Sequence, residues 1–182
     1  MLLEQSKFNR VGLIPARYGS SRFEGKPLAL ICGESMIKRT YDRASASKKL
    51  DKVYVVTDDN RIEYHCEIFN IPVIRVDDDC ETGTDRCAIA SEQIDADIYV
   101  NIQGDEPLID PEAIDRLCDY FNPNLGVANA YVTIEEPYKV MDNDVVKVVF
   151  DSHHCAMYYS RLGIPFPPVS YTHLTLPTIM PV

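Results

Sequence analysis

IPARYGSSRFEGKPL, residues Ile14 to Leu28, runs from the end of an apolar segment through a basic loop of small residues to a Lys-Pro step. The apolar segment, Arg10 to Pro15, lacks polar alternation, the pattern of a strand buried on both faces of a parallel sheet. A loop leaving the C-terminal end of such a strand lies at the edge where open α/β sheets bind ligands. Arg17, Arg22 and Lys26 place three cations within ten residues, and Gly19, Ser20, Ser21 and Gly25 let the backbone turn its N–H groups on an anion. Polyphosphate fits that chemistry; a surface turn with solvated cations is the competing reading. The loop has neither the Gly-Lys-Ser/Thr of a Walker sequence nor GxGxxG.

Outward from this loop the chain alternates between strand and helix patterns. Ser35 is placed to cap a helix with Met36, Ile37, Tyr41 and Ala44 at helical spacing, and Lys52 to Thr57 (KVYVVT) reads as a second buried strand. Asp58-Asp59 opens a helix with Ile62, Cys66, Ile68 and Phe69 expected inside, and Ile71 to Val76 reads as a third strand interrupted by Pro72. A further helix follows TGTDR (82–86), with Thr84 expected as its cap; then come the strand Ile98 to Ile102 and a helix with Asp110 as cap and Pro111 in its first turn. Segments 127–133 and 145–150 read as additional strands. This alternation predicts an α/β fold, Rossmann-like, with a mostly parallel sheet and helices on both faces.

Composition narrows the partners. The 182 residues carry a net charge of −10, so nucleic acid or an anionic membrane would be repelled, and the basic loop is a local exception. Six cysteines show no CxxC spacing and read as reduced thiols, and no apolar run approaches the length of a membrane span. A cytoplasmic protein without membrane or nucleic-acid partners is expected.

Asp105 is the second candidate. It stands in Gln103-Gly104-Asp105-Glu106-Pro107, just past the strand that ends at Ile102, and so at the same sheet edge as the basic loop. Mg2+ takes one or two carboxylates plus phosphate oxygens, so one aspartate facing a triphosphate loop is a plausible metal ligand; helix capping is the alternative, but Asp110 fills that role better. Thr82 to Arg86 would suit a base or ribose edge but is also an ordinary helix start. His153-His154 reads as a solvated turn, and Asp77 to Asp79 as an exposed acidic loop.

Taken together, IPARYGSSRFEGKPL, TGTDR, NIQGDEP, DVVKVVF and YYSR resemble, in order and approximate spacing, the 3-deoxy-manno-octulosonate (Kdo) cytidylyltransferases, or CMP-Kdo synthetases, of the sugar nucleotidyltransferase superfamily. The resemblance covers residues 11 to about 166. It implies a nucleotide-diphospho-sugar transferase fold and a transfer of CMP from CTP to the anomeric hydroxyl of an acidic eight-carbon sugar, releasing pyrophosphate, for lipopolysaccharide synthesis. Arg17 and Lys26 then match positions that hold the triphosphate, with Arg22 assisting. Asp105 matches a Mg2+ ligand, Ala16, Thr82 and Arg86 lie with the cytidine, and Gln103 sits towards the sugar. A homodimer is implied for the parent enzyme. CMP-sialate or another CMP-sugar synthetase, or a nucleotide-binding module without catalysis, are the alternatives.

Three departures from the family pattern, Glu24 for a usual proline, Cys80 for histidine and Arg75-Val76 for Met-Thr, leave the phosphate chemistry untouched but loosen the choice of sugar. Residues 167–182 have four prolines and no Asp, Glu, Lys or Arg. They are read as a non-native tail resembling a translated sequencing adapter, with a Pro-rich native connection at a domain edge as the alternative, after a nucleotidyltransferase domain of residues 1–166 that is incomplete at its C-terminus. The family continues with more sugar-binding residues and a second metal carboxylate, so little or no activity is expected of this polypeptide.

Overall fold

The structure, a computed structural model, describes residues 8–19, 23–121 and 126–164. Ser20, Ser21, Arg22 and the expected tail 167–182 lie outside these. The chain divides into two compact units, residues 1–128 and 129–182.

The first unit is built on four parallel strands: β1 (Arg10–Pro15), β4 (Lys52–Thr57), β5 (Val73–Arg75) and β6 (Ile98–Asn101), in the order β5-β4-β1-β6. The chain moves outward from β1 through β4 to β5, then returns to the other side of β1 as β6. The order therefore reverses between β1 and β6, which makes the crevice at their C-terminal ends the expected ligand site. β5 is shorter than the predicted 71–76, because Pro72 has no N–H to give to the ladder; its carbonyl still accepts from the Val55 amide at 2.9 Å.

Side chains leave each strand alternately, so the apolar strands supply two cores. On one face Ile14, Val53, Val55, Val100 and Ile102 meet Ile37 and Ala44 of α1 (Met36–Ser45), Ile62 and Cys66 of α2 (Asn60–Ile68), and Ile114 and Cys118 of α4 (Pro111–Tyr120). On the other, Val11, Leu13, Val56, Ile74 and Val76 meet Cys87 and Ala90 of α3 (Gly83–Ser91). Helices thus cover both faces, as the alternation predicted.

Local signals explain the helix starts. Ser35 ends a small hairpin, β2 (Leu30–Ile31) and β3 (Glu34–Ser35), whose turn residues Cys32 and Gly33 both take positive φ, 48° and 85°, as a tight two-residue hairpin turn requires. Its hydroxyl then accepts the Lys38 amide at 3.3 Å. Asp59 caps α2 and Asp110 caps α4, each carboxylate accepting an amide two residues on. For α3 the cap is Thr82 rather than the expected Thr84. Thr82 and Asp85 exchange hydrogen bonds in a capping box, which fixes the first turn two residues earlier. Ile68 and Phe69, expected inside, are exposed, because α2 ends there and only Ile62 and Cys66 reach the core.

The second unit holds an antiparallel pair, β7 (Lys147–Phe150) and β8 (Ala156–Ser160), joined by a turn in which Asp151 Oδ1 accepts the amides of His153 and Cys155 at 2.8 and 2.9 Å. Residues 127–133, expected as a strand, form none. Among the described residues no helix is long and apolar enough to cross a membrane.

Candidate functional site

The basic loop is shaped by its own backbone. Gly25 takes φ 68° and donates its N–H to the Tyr18 carbonyl at 2.9 Å, closing the loop on itself, and a Cβ at Gly25 would lie 3.0 Å from the Tyr18 ring. The Arg61 guanidinium covers that ring 3.2 Å from its centroid and is held in turn by Asp59, Nη2 to Oδ2 at 2.6 Å. After Gly25, the Lys26–Leu28 turn buries Pro27 and leaves the ammonium of Lys26 at the sheet edge.

There Lys26 Nζ meets Asp105 Oδ2 at 2.7 Å, with both side chains about half exposed at 41% and 51%. Asp105 is carried by the segment after β6. Gly104 lies so close to the end of β1 that a Cβ there would stand 2.6 Å from the Pro15 carbonyl oxygen, and Thr40 of α1 reaches the Gly104 carbonyl at 3.2 Å. An exposed ion pair adds little stability. Its consequence is positional: a cation of the basic loop and the aspartate after β6 converge on the crevice between β1 and β6.

A cavity of about 510 Å3, within the range of small-molecule sites, opens on the same loop. Arg17, Tyr18 and Gly19 form one wall, Asp58 and Asp59 after β4 a second, and Asp77 to Cys80 after β5 a third, with Arg86 among the lining residues. Arg17 is exposed and has no protein hydrogen-bond partner among the described residues. Arg86 is only 5% exposed, and its guanidinium donates to the Val76 carbonyl at 2.8 Å and to Asp58 Oδ2 at 2.6 Å. One buried cation thereby fastens the loop after β5 to the loop after β4. The bond from Arg61 draws the Asp59 carboxyl below its ordinary range, so Asp59 stays ionised as cap and anchor.

The other residues singled out in the sequence fall round the same edge. Ala16 gives its N–H to the Val56 carbonyl at 2.9 Å, extending the β1–β4 pairing by one residue. The Thr82 hydroxyl belongs to the capping box at the start of α3, where a Cβ on Gly83 would touch Pro15 at 3.1 Å. Gln103 is exposed and reaches Asn101 Oδ1 at 3.4 Å, while Asn101 bonds Thr84 at 3.2 Å. Arg17, Lys26, Asp105, Ala16, Thr82, Arg86 and Gln103 therefore all sit at the C-terminal edge of one sheet; Arg22 is outside the described residues. The sequence reading did not select Asp58. Its position was legible, because Asp58 directly follows KVYVVT and so lies at the same sheet edge as Asp105, but its anchoring by Arg86 was not.

Mg2+ was expected at Asp105. Among the described residues no three His, Cys, Asp or Glu side chains gather in a way that could hold a metal. A half-exposed carboxylate at a cationic edge suits an ion that takes one protein ligand and completes its shell with phosphate oxygens and water.

Comparison with known proteins places these features in a family. A family model described as cytidylyltransferase matches residues 11–175. The 8-amino-3,8-dideoxy-manno-octulosonate cytidylyltransferase of Shewanella woodyi is 47% identical over 160 residues, covering 85% of this chain and 65% of its own length. That of Shewanella frigidimarina is also 47% identical over 160 residues, with the same coverage. Among solved structures, CMP:2-keto-3-deoxy-manno-octonic acid synthetase complexed with CTP superposes with a TM-score of 0.74 at 35% identity, covering 87% of this chain and 66% of that one. A cytidylyltransferase from Leptospira borgpetersenii gives 0.55 at 28% identity, over 63% of this chain and 49% of its own. The chain spans about 65% of the length of the curated relatives it matches. With the parallel sheet, the basic loop and the aspartate after β6 in their places, the chain belongs to the cytidylyltransferase family.

Proposed function

We propose that this chain carries the CTP-binding and phosphoryl-transfer part of an enzyme that moves CMP from CTP to an acidic eight-carbon sugar of the Kdo type. The observation that supports it most directly is the convergence of Lys26 and Asp105 on the crevice between β1 and β6, 2.7 Å apart, with Arg17 on the adjoining cavity. In this reading the nucleoside occupies the cavity and the triphosphate lies along the basic loop. The anomeric hydroxyl of the sugar attacks the α-phosphorus in line. An O–P bond forms to the sugar, the bond to the β-phosphate oxygen breaks, the hydroxyl proton leaves to solvent, and pyrophosphate departs. Little covalent work falls to the protein, so its contribution is position and charge. Lys26 and Arg17 offset the charge on the departing pyrophosphate, with Arg22 assisting from the same loop. Asp105 would hold Mg2+, which neutralises phosphate charge when bound. Thr82 and Ala16 lie on the nucleoside side and Gln103 towards the sugar.

The relatives' names favour a second acceptor, 8-amino-3,8-dideoxy-manno-octulosonate, over Kdo itself. The two are separated by coupled detection of pyrophosphate with CTP and each sugar, using the 182-residue chain and a version lengthened to the full span of its relatives. The 182 residues alone are proposed to turn over little or nothing, since their match takes in only 65% of the relatives' length. The longer version should release pyrophosphate with CTP and one of the two sugars, and not with ATP or GTP. Failure of the longer version with both sugars would remove this reading, and robust turnover by the 182 residues would remove the proposal that they are inactive. A homodimeric, cytoplasmic parent is part of the same proposal.

A further inference from the structure

The cavity wall is oddly charged for a site that takes a polyanion. Besides Arg17 and Arg86 it carries Asp58, Asp59, Asp77, Asp78 and Asp79. Asp59 is engaged by Arg61 and Asp77 by Arg75, yet the balance facing the cavity stays acidic. Phosphates are repelled by such a wall and belong with Lys26 at the sheet edge. The part of a nucleotide that suits the acidic side is the neutral nucleoside, whose exocyclic amine and ribose hydroxyls are donors in need of acceptors.

Asp58 differs from its acidic neighbours. Asp77, Asp78 and Asp79 are exposed on a loop, whereas Asp58 is held through Oδ2 by a guanidinium that is itself buried and fixed on the Val76 carbonyl. Its side chain is 40% exposed, and its other oxygen, Oδ1, has no protein partner among the described residues. A carboxylate accepts only and a guanidinium donates only. The pair therefore presents one oriented acceptor to the cavity, set in place before any ligand arrives.

Resting on the CTP-binding reading above, we propose that Asp58 is a specificity-determining residue for the nucleoside, accepting a hydrogen bond from the cytosine amine or a ribose hydroxyl, with Arg86 as its positioning residue. The Arg86–Asp58 pair is then more than a brace between two loops: it fixes the direction of the acceptor that reads the ligand.

Asp58→Asn is the informative change. Because Arg86 can only donate, the carboxamide must turn its oxygen to Arg86 and its NH2 to the cavity, replacing an acceptor by a donor. Titration calorimetry in Mg2+ on the 182-residue chain, with CTP, UTP, 2′-deoxy-CTP and 3′-deoxy-CTP, gives the readout. The wild-type chain should prefer CTP to at least one analogue. In Asp58→Asn, CTP binding should weaken by about tenfold or more, the scale of a lost hydrogen bond to a charged group. The analogue lacking the matching donor should escape that loss: UTP, whose O4 can accept from the new NH2, should bind the variant more tightly than wild type if the amine is read, and one of the deoxy-CTPs should not weaken if a hydroxyl is read. Asp79→Asn, which removes a wall charge without an anchored acceptor, should instead strengthen all four triphosphates together. If the asparagine variant does not fold, Asp58→Ala, which removes the acceptor and adds no donor, should lose the same selectivity. Undiminished discrimination against all three analogues in a folded Asp58 variant overturns the inference alone. A wild-type chain that binds no CTP overturns the CTP reading, and this inference with it.

Discussion

Lys26 Nζ stands 2.7 Å from Asp105 Oδ2, although the two residues are 79 positions apart in sequence. Each follows a strand of the parallel sheet, Lys26 the central β1 and Asp105 its neighbour β6, and the strand order reverses between those two. The pair marks where a cationic loop and a carboxylate share one crevice.

If Asp105 accepts Mg2+ beside a triphosphate, CTP should bind the chain more tightly in Mg2+ than in EDTA. Asp105→Asn keeps the side-chain shape but removes the charge, so that difference should shrink to near nothing while metal-free CTP binding is retained or strengthened. Calorimetry in both buffers checks it, and an unchanged Mg2+ effect in the variant would remove Asp105 from the metal site.

Gly104 allows the segment bearing Asp105 to approach the end of β1. A methyl group there would lie 2.6 Å from the Pro15 carbonyl oxygen, which is backbone and cannot swing away. Gly104→Ala should therefore destabilise the chain by about 1–3 kcal/mol, the usual scale of overpacking, and displace Asp105 from Lys26. A urea melt reads the first effect and CTP affinity the second.

Acid should loosen the fold through two carboxylates. Asp59 is lowered by its bond from Arg61. Burial tends to raise Asp115, but the Ser47 hydroxyl and the Lys48 and Lys49 amides bond it and carry it below the ordinary value. A carboxyl lowered on folding adds stability that is complete above its unfolded value, near 3.9, and is lost as pH falls through the folded value. The urea midpoint should thus decline between about pH 5 and pH 2. Asp115→Asn should flatten part of that decline, and an equal slope in variant and wild type would exclude Asp115 as a source.

Thiol labelling should divide the cysteines by burial. Desolvation pushes the Cys66 and Cys87 thiols up to about 12, and both lie in the two cores. Cys32 and Cys155 are exposed. Iodoacetamide at pH 8 followed by peptide mass mapping should modify Cys32 and Cys155 well before Cys66 and Cys87 in the native chain. Early modification of Cys66 or Cys87 would mean that the core opens readily.

Much of the site's scaffold was legible because its determinants are local. Buried strands read as unbroken apolar runs, and Asp110-Pro111 and Ser35 are capping signals whose partners lie within three residues. The Thr84 assignment failed because both threonines suit a cap, and the choice was settled by Asp85 bonding back to Thr82. Residues 127–133 carried a strand-like composition but found no pairing, a matter of partners rather than propensity. Asp58 escaped notice for a similar reason. Its distinction depends on Arg86, 28 positions away, and on a buried guanidinium geometry that no sequence pattern announces.

The proposal on which the others rest is a triphosphate site formed by residues 14–28 and Asp105 beside a nucleoside cavity. It is tested most directly by titrating CTP and cytidine into the wild-type chain and into Lys26→Ala. CTP binding should fall by about tenfold or more in the variant, the scale of a lost charge-assisted contact, while cytidine, which has no phosphate, should bind both proteins alike. Equal CTP affinity in the two proteins, or no CTP binding by the wild type, would contradict it.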